Sequence, residues 1–237
     1  TKITRGYPIQ VKFQNGRDDS ASTFGGNNAA TAIAAGNNHL LILANGVVYA
    51  VGDNSKGQLG NGATGTTESI VVPVMIDETT TLTGVKNIAA GDDFSMALLE
   101  DGSVYAWGSN KSGQLGDGTR VNKPTPIQVL RGESPEEETN VAPAGSDYLI
   151  NIVMISAGAN HALALTKTGY VWAWGDNTYG QRGIEAKNSK YSQYASFTVK
   201  GASAGDNADG ALNDFIDITI GDTFISALRR DGNVFSW

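Results

Sequence analysis

The segment Ile88–Gly118, IAAGDDFSMALLEDGSVYAWGSNKSGQLGDG, returns three more times along the chain and fixes the phase of everything between the copies. Aligned on the glycine that closes Ala89-Ala90-Gly91 and its counterparts, the copies begin at Gly36, Gly91, Gly158 and Gly221, which are 55, 67 and 63 residues apart. Inside the copies the spacing is stricter. The next glycine follows after 11 residues in three copies (Gly102, Gly169, Gly232) and after 10 in the first (Gly46). A step of six then leads to Gly52, Gly108 and Gly175, and a step of five to Gly57, Gly113 and Gly180. Rigid local spacing joined by elastic connections means one supersecondary unit per repeat. Such units cannot bury their apolar faces alone and must stack on one another.

The first copy contains two alternating apolar segments, His39–Leu43 and Val47–Val51, hinged at Asn45-Gly46. Asn-Gly between alternating segments predicts a hairpin, because both residues tolerate positive φ. Asp101-Gly102 and Asp231-Gly232 stand at the same place, with Thr168-Gly169 a weaker version. The apolar run Ile70–Ile76 carries Pro73 and reads as an edge strand, where a missing N–H costs little; Pro126-Ile127-Gln128-Val129 recurs in the next gap. A small-residue strand such as Ile88-Ala89-Ala90 suits the innermost position, where units crowd an axis, and the Trp107 and Trp174 strands supply bulk between neighbours. Three to four short strands per unit, repeated radially, predict an all-β chain folded as a β-propeller with four blades.

The opening Thr1–Val11 aligns with Thr119–Val129, and the chain stops at Trp237 where the second copy is about to reach Gly108. Both ends fall inside the motif, so the expectation is one propeller segment over 1–237, truncated at both ends, with approximate units 1–62, 63–118, 119–183 and 184–237. Remaining blades of a longer chain, or a second copy, are then expected to cover the open edges.

Composition narrows the function. The formal charge is −7 with a pI near 4.8, and no basic run exceeds Arg229-Arg230, which disfavours a nucleic-acid surface. There is no cysteine, hence no disulfide or thiolate metal site, and no apolar stretch long enough to insert into a membrane. The Gly-x-Asn-x-x-Gly-Gln-Leu-Gly segment lacks the Lys-Ser/Thr of a phosphate loop and opens no helix, so its Asn and Gln are expected to satisfy loop backbone groups. His39 and His161 are equivalent to Phe94 and Phe224, which marks a packing position rather than a ligand. Asp53, Asp92, Asp93 and Asp222 recur at repeat turns; spacing allows two of them to approach across blades, but solvated turns are the plainer reading. Asp206–Gly210 lacks the alternate-ligand pattern of a calcium loop, and the sequon Asn110-Lys111-Ser112 falls on the repeat's own asparagine. No catalytic, cofactor or metal residues are assigned.

The repeated SMALLEDGSVYAWGSNKSGQLGDGT, and above all Trp107-Gly108-Ser109-Asn110 through Gly113-Gln114-Leu115-Gly116, resembles the repeat of the regulator-of-chromosome-condensation family. That resemblance implies a seven-bladed ring of which these four blades are part. The chain departs from the pattern at Val51 (for tryptophan) and Arg182 (for leucine), and the third copy lacks the following Gly-x-Gly, so the loop after that blade is expected to be reshaped.

The function expected is a non-catalytic protein-binding module presenting loops on a propeller. The candidate contacts are Glu136, Glu137 and Glu138 in the acidic insertion and the loop aromatics Tyr179, Tyr191 and Tyr194. Low lysine content, Thr/Asn/Gly-rich loops, absent cysteine and a resemblance to secreted bacterial propellers point to an extracellular or cell-surface bacterial protein, with a cytoplasmic or nuclear location as the alternative. The resemblance also implies a second function, guanine-nucleotide exchange on a small GTPase, as in the family's founding member; the two truncated ends keep open a third, an architectural repeat in a larger assembly.

Overall fold

Alternating apolar residues flanked by glycine turns fold here into strands, and no helix occurs among the described residues. The computed structural model describes residues 11–14, 21–23, 29–65, 67–132, 148–183, 191–197 and 213–237. The first sheet holds β1 (Lys12–Gln14), β2 (Ala21–Thr23), β3 (Ala30–Ala35), β4 (His39–Ala44), β5 (Val47–Asp53) and β6 (Thr67–Pro73), in the order β2-β1-β6-β5-β4-β3. The second holds β7 (Val85–Ala90), β8 (Phe94–Leu99), β9 (Val104–Gly108) and β10 (Lys123–Gln128), and the third β11 (Ile152–Ala157), β12 (His161–Thr166), β13 (Val171–Asp176) and β14 (Tyr191–Phe197). β15 (Phe215–Ile220), β16 (Ile225–Arg229) and β17 (Val234–Ser236) form the fourth. Apart from a parallel contact of β1 with β6 at Phe13 and Val71, the sheets pair antiparallel.

Sheets and sequence units are offset. The proline-bearing strand β6 pairs with β5 of the hairpin before it, closing that blade rather than opening the next. In the first blade β6 is not the edge either, because β1 and β2 continue the sheet beyond it. The small-residue strands β3, β7, β11 and β15 are the terminal strand of each sheet and neighbour one another at the axis.

The four hairpin turns differ as their spacing requires. Asn45 (φ 51°) and Gly46 (φ 72°) are both left-handed, making a two-residue turn closed by the Ala44–Val47 pair. In the second blade Gly102 N–H bonds Leu99 C=O at 3.0 Å and Leu99 N–H bonds Ser103 C=O at 3.0 Å, a three-residue loop in which only the glycine has positive φ. The extra residue accounts for the step of 11 instead of 10.

Three apolar seams join the blades. Leu41, Leu43, Val48 and Leu59 meet Val85, Ile88, Ala97 and Trp107. Phe94, Met96, Val104 and Leu115 meet Ile152, Ile155, Ala164 and Trp174. Leu163, Leu165 and Val171 meet Phe215, Ile218 and Ile225. Leu40, Ile42, Tyr49, Val51 and Val71 form a smaller cluster on the first blade alone. Equivalent residues show where stacking stops. The isoleucine of the inner strand is 6–7% exposed at Ile88, Ile155 and Ile218 but 71% at Ile33. The valine that opens the third strand is fully buried at Val48, Val104 and Val171 but 69% exposed at Val234.

Candidate interaction face at the axis

Because β7 ends where β8 begins, and β9 ends beside them, the glycine turns at the axis and the Gly-Gln-Leu-Gly loops lie at one end of the blades. Backbone hydrogen bonds tie the two kinds of loop together: Asp53 N–H to Asn38 C=O (2.8 Å), Ser109 N–H to Asp93 C=O (2.8 Å) and Asp176 N–H to Asn160 C=O (2.9 Å). Others pass from blade to blade, Asn37 N–H to Asp92 C=O and Asp92 N–H to Ala159 C=O, both 3.1 Å.

The axial glycines are dictated by close approach. A Cβ on Gly91 would overlap the ring of Phe94 and stand 2.5 Å from the carbonyl oxygen of Gly158 in the next blade. The flat ring three residues on, His39, Phe94, His161 or Phe224, covers its own blade's glycine. We expect Gly91→Ala to lose about 3 kcal/mol, since Phe94 is fully buried and a backbone carbonyl cannot swing away. Gly221→Ala faces only the half-exposed Phe224 ring and should stay within about 1 kcal/mol. Denaturant titration of the two variants checks this; equal losses would contradict the role given to the neighbouring carbonyl.

The Asn and Gln of the repeat do satisfy loop backbone. Asn54 Oδ1 accepts Leu59 N–H (3.0 Å) and Gln58 Oε1 accepts Lys56 N–H (2.8 Å), and Asn110 and Gln114 repeat both bonds. The third copy keeps them despite Arg182: Asn177 Oδ1 takes Arg182 N–H and Gln181 Oε1 takes Tyr179 N–H, both 2.9 Å. That turn is therefore not reshaped through Gly183, and the residues beyond it, 184–190, lie outside the described ones. Asn110 is fully buried with its amide donating to Asp117 Oδ1 at 2.9 Å, which leaves no room for a glycan on the sequon.

The first two loops are each clamped by the following blade's tryptophan. Trp107 Nε1–H donates to Gln58 C=O at 2.9 Å, and Trp174 Nε1–H to Gln114 C=O at 2.8 Å. Ser95 Oγ–H also donates to Gln58 C=O (2.8 Å), so the 2.9 Å contact between His39 Nε2 and Ser95 Oγ has the imidazole as donor. Ser95 escaped the sequence reading because only its own copy carries a serine there. In the next blade Ile225 occupies the position equivalent to Ser95, and neither ring nitrogen of His161 has a partner among the described residues. Burial pushes His39 and His161 down to about 4; Asp53 opposes this for the first, Asp176 and Asp222 for the second.

The turns enclose a polar cavity of about 260 Å³ lined by Gly36, Asn37, Gly91, Asp92, Gly158 and Asp222, among others. Asp92 and Asp222 thus approach across blades. Partial burial, then Asp222 and Asp93, raise the Asp92 carboxyl above the usual carboxylate range. Asp53 is pushed upward by burial, but hydrogen bonds from Ser55, Gln58 and the backbone outweigh this and hold it lower than usual. No lysine or arginine stands on the four axial turns, and among the described residues no group of three or more His, Cys, Asp or Glu is placed to hold a metal.

Of the sequence-predicted contacts, Tyr179 is 76% exposed on the loop after β13. Tyr191 begins β14 opposite Asp176. Tyr194 is partly exposed, and its ring lies over Gly118 of the preceding blade. Glu136, Glu137 and Glu138 lie outside the described residues, as does Asp206–Gly210. The charged lining of the cavity was visible only as carboxylates recurring after the axial glycine; their convergence was not.

Comparison with known proteins agrees with this architecture. The chain matches models of the regulator of chromosome condensation (RCC1) repeat over residues 45–98 and 101–165, and over 30–58, 85–114 and 152–181. It is similar to the E3 ubiquitin-protein ligase HERC2 of Mus musculus, 28% identical over 211 residues, covering 85% of this chain and 4% of that protein. It is also similar to the ultraviolet-B receptor UVR8 of Arabidopsis thaliana, 32% identical over 160 residues, covering 67% of this chain and 32% of the receptor. The chain therefore spans a third or less of the length of these relatives. Among solved structures, human WBSCR16 superposes with a TM-score of 0.70 at 22% identity, covering 96% of this chain and 53% of that one. Yeast RCC1 (Prp20), solved bound to Kap60, gives 0.65 at 19%, with 96% and 51% covered. With four stacked blades, an axial glycine in each and a tryptophan-clamped loop at the seams, the chain belongs to the RCC1-repeat family of β-propellers.

Proposed function

We propose that this chain is a non-catalytic protein-binding module whose axial loop face receives a basic segment of its partner. The observation that carries this is the open cavity lined by Asp92 and Asp222, on turns bearing no cation and joined by hydrogen bonds to the loops of Asp53 and Asp176. The Asp92 carboxyl, raised first by partial burial and then by Asp222 and Asp93, fits such a role, because an incoming lysine or arginine would supply the counter-charge the site lacks. Tyr179, exposed on the loop that follows Asp176, supplies an aromatic anchor at the rim. Tyr191, Tyr194 and the acidic run Glu136–Glu138 are further contact candidates on the same grounds of aromatic or acidic character.

Phe224 and Val234, exposed on the last blade, mark a face that a further blade of the same chain or of a second copy would cover. A bacterial secreted or surface setting is supported by composition and by the resemblance to secreted bacterial propellers. The cytoplasmic or nuclear alternative is supported by the likeness to RCC1, and the same likeness keeps exchange on a small GTPase as the second function. No helix among the described residues is long and apolar enough to cross a membrane.

The test compares the parent chain with Asp92→Lys/Asp222→Lys and Tyr179→Ala as baits. Captured proteins are identified by mass spectrometry, and binding is then measured with synthetic peptides from their basic segments. We expect the double variant to lose binding at least ~10-fold and the parent's affinity to fall with salt. Undiminished, salt-independent binding by the double variant would remove the axial face from the interface.

A further inference from the structure

The fourth blade is joined to the third differently from the way the first three are joined to one another. At the hairpin end all three seams share one backbone bond: Val85 N–H donates to Gly46 C=O (3.0 Å), Ile152 N–H to Gly102 C=O (3.1 Å) and Phe215 N–H to Gly169 C=O (3.1 Å). At the loop end the first two seams carry further ties. Asn37 N–H reaches Asp92 C=O and Asp92 N–H reaches Ala159 C=O, while Trp107 and Trp174 hold the carbonyls of Gln58 and Gln114. Among the described residues the third seam has neither kind of tie. No backbone bond joins Ala159 to Asp222, and the buried Trp237 Nε1 has no acceptor. His161, beside the approach of Gly221 C=O to Gly158, has no partner there for either ring nitrogen.

The outward face of the blade is also built differently. At its centre Ser226 stands across from Ser236, and its Oγ–H donates to Ser236 Oγ at 3.0 Å. The other blades place Leu41 across from Ala50, Met96 across from Ala106 and Leu163 across from Ala173, and each of those pairs is buried in the seam that follows. Hydroxyls gain little from such burial, so a neighbour on that side grips the fourth blade less than the inner seams grip theirs.

We propose that the fourth blade is a hinged flap. It swings about the bond between Phe215 and Gly169 at the hairpin end and parts from the third blade at the loop end. The swing carries Ile220, Gly221 and Asp222, one wall of the axial cavity, away from Asp92. A rigid sheet turning about one end moves most at the other, so the apolar seam around Leu165 and Phe215 stays closed while the cavity mouth widens. The motion follows from the seam's own bonds; that it admits a basic segment rests on the axial face being the binding surface.

The chain has no cysteine, so spin labels sit only where cysteines are placed. Thr178→Cys/Thr223→Cys spans the third seam at the loop end, and Ser55→Cys/Asp93→Cys takes the equivalent positions across the first. Pulsed dipolar electron resonance should give one narrow distance for the first-seam pair and a broad or two-peaked distribution for the third. An equally narrow third-seam distance would overturn the proposal. Hydrogen exchange of the unsubstituted chain tests the hinge: Phe215 N–H should be about as protected as Ile152 N–H. Exchange at Phe215 at least ~10-fold faster than at Ile152 would mean that the blade leaves as a whole, and would overturn the hinge. A hexalysine peptide should shift the third-seam distribution to longer distance and leave the first-seam pair unchanged. A broad third-seam distribution that hexalysine does not shift would support the hinge and overturn its service to the axial cavity.

Discussion

Trp107→Ala should cost about 4 kcal/mol and split the unfolding transition, because it empties the seam between the first two blades. Trp107 is fully buried and its ring covers Gly60, where an added Cβ would come 2.7 Å from Nε1. Its N–H also holds Gln58 C=O, the carbonyl that anchors the Gly-Gln-Leu-Gly loop between blades. In a stacked repeat, stability is the sum of unit and interface contributions, so weakening one interface uncouples its neighbours. Trp107→Phe keeps most of the apolar burial and loses the hydrogen bond, and should cost about 1 kcal/mol more than its lost volume accounts for. Trp237 stacks on Gly183 in the same way, but it is half-exposed and its N–H has no acceptor, so Trp237→Ala should cost far less. Urea unfolding followed by tryptophan fluorescence and far-ultraviolet dichroism reads both effects. Similar losses at Trp107 and Trp237 would show that the clamp contributes little.

Acidification should destabilise the protein steeply between about pH 6.5 and 4, and the two buried histidines should account for it. Each has its folded value lowered to about 4 from an unfolded 6.5. Across that window the unfolded chain binds the proton and the folded chain does not, so stability rises with pH. It is fully present above 6.5 and levels off below 4. Each histidine should contribute a loss of about 3 kcal/mol over the interval. Asp92 acts in the opposite sense, since its raised value favours the protonated folded form, but its partial exposure keeps that effect small. Phe94 fills the same position, fully buried, in the second blade, so His39→Phe/His161→Phe should fold and lose most of the acid sensitivity. At neutral pH His161→Phe should be neutral or stabilising, because both nitrogens are buried without partners, whereas His39→Phe gives up the bond to Ser95. Denaturant midpoints at pH 7 and 4.5 decide the matter. A double variant as acid-labile as the parent would place the titration elsewhere.

The repeat phase, the hairpins, the inner small-residue strand and the inter-blade tryptophans were legible in the sequence, because each follows from local spacing. A turn glycine, a period of two and a bulky residue at a fixed offset act within a few residues of one another. The interchange of His and Phe at one position was enough to call it packing, and its rings do lie against the axial glycines. What local pattern left open was pairing over distance. Pro73 marked a strand but not its partner, and only the ladder with β5 shows that it closes the preceding blade. The turn residues gave the hairpins but not their classes; the 10- and 11-residue steps resolve into two- and three-residue loops once the closing pairs are known.

The sequence by itself determined that this chain is a stack of like β units with glycine at every close approach. At the axial turns the ring three residues on already crowds any Cβ, a local effect that the repeat's spacing records. The tertiary structure alone decided which side chains meet across blades: Trp107 on the Gln58 carbonyl, His39 on Ser95, and Asp92 beside Asp222 at one cavity. Spacings of 55, 67 and 63 residues from one axial glycine to the next carry no information about angle or register. Those contacts are set by the rotation from one blade to the next, which the packing of the apolar seams fixes.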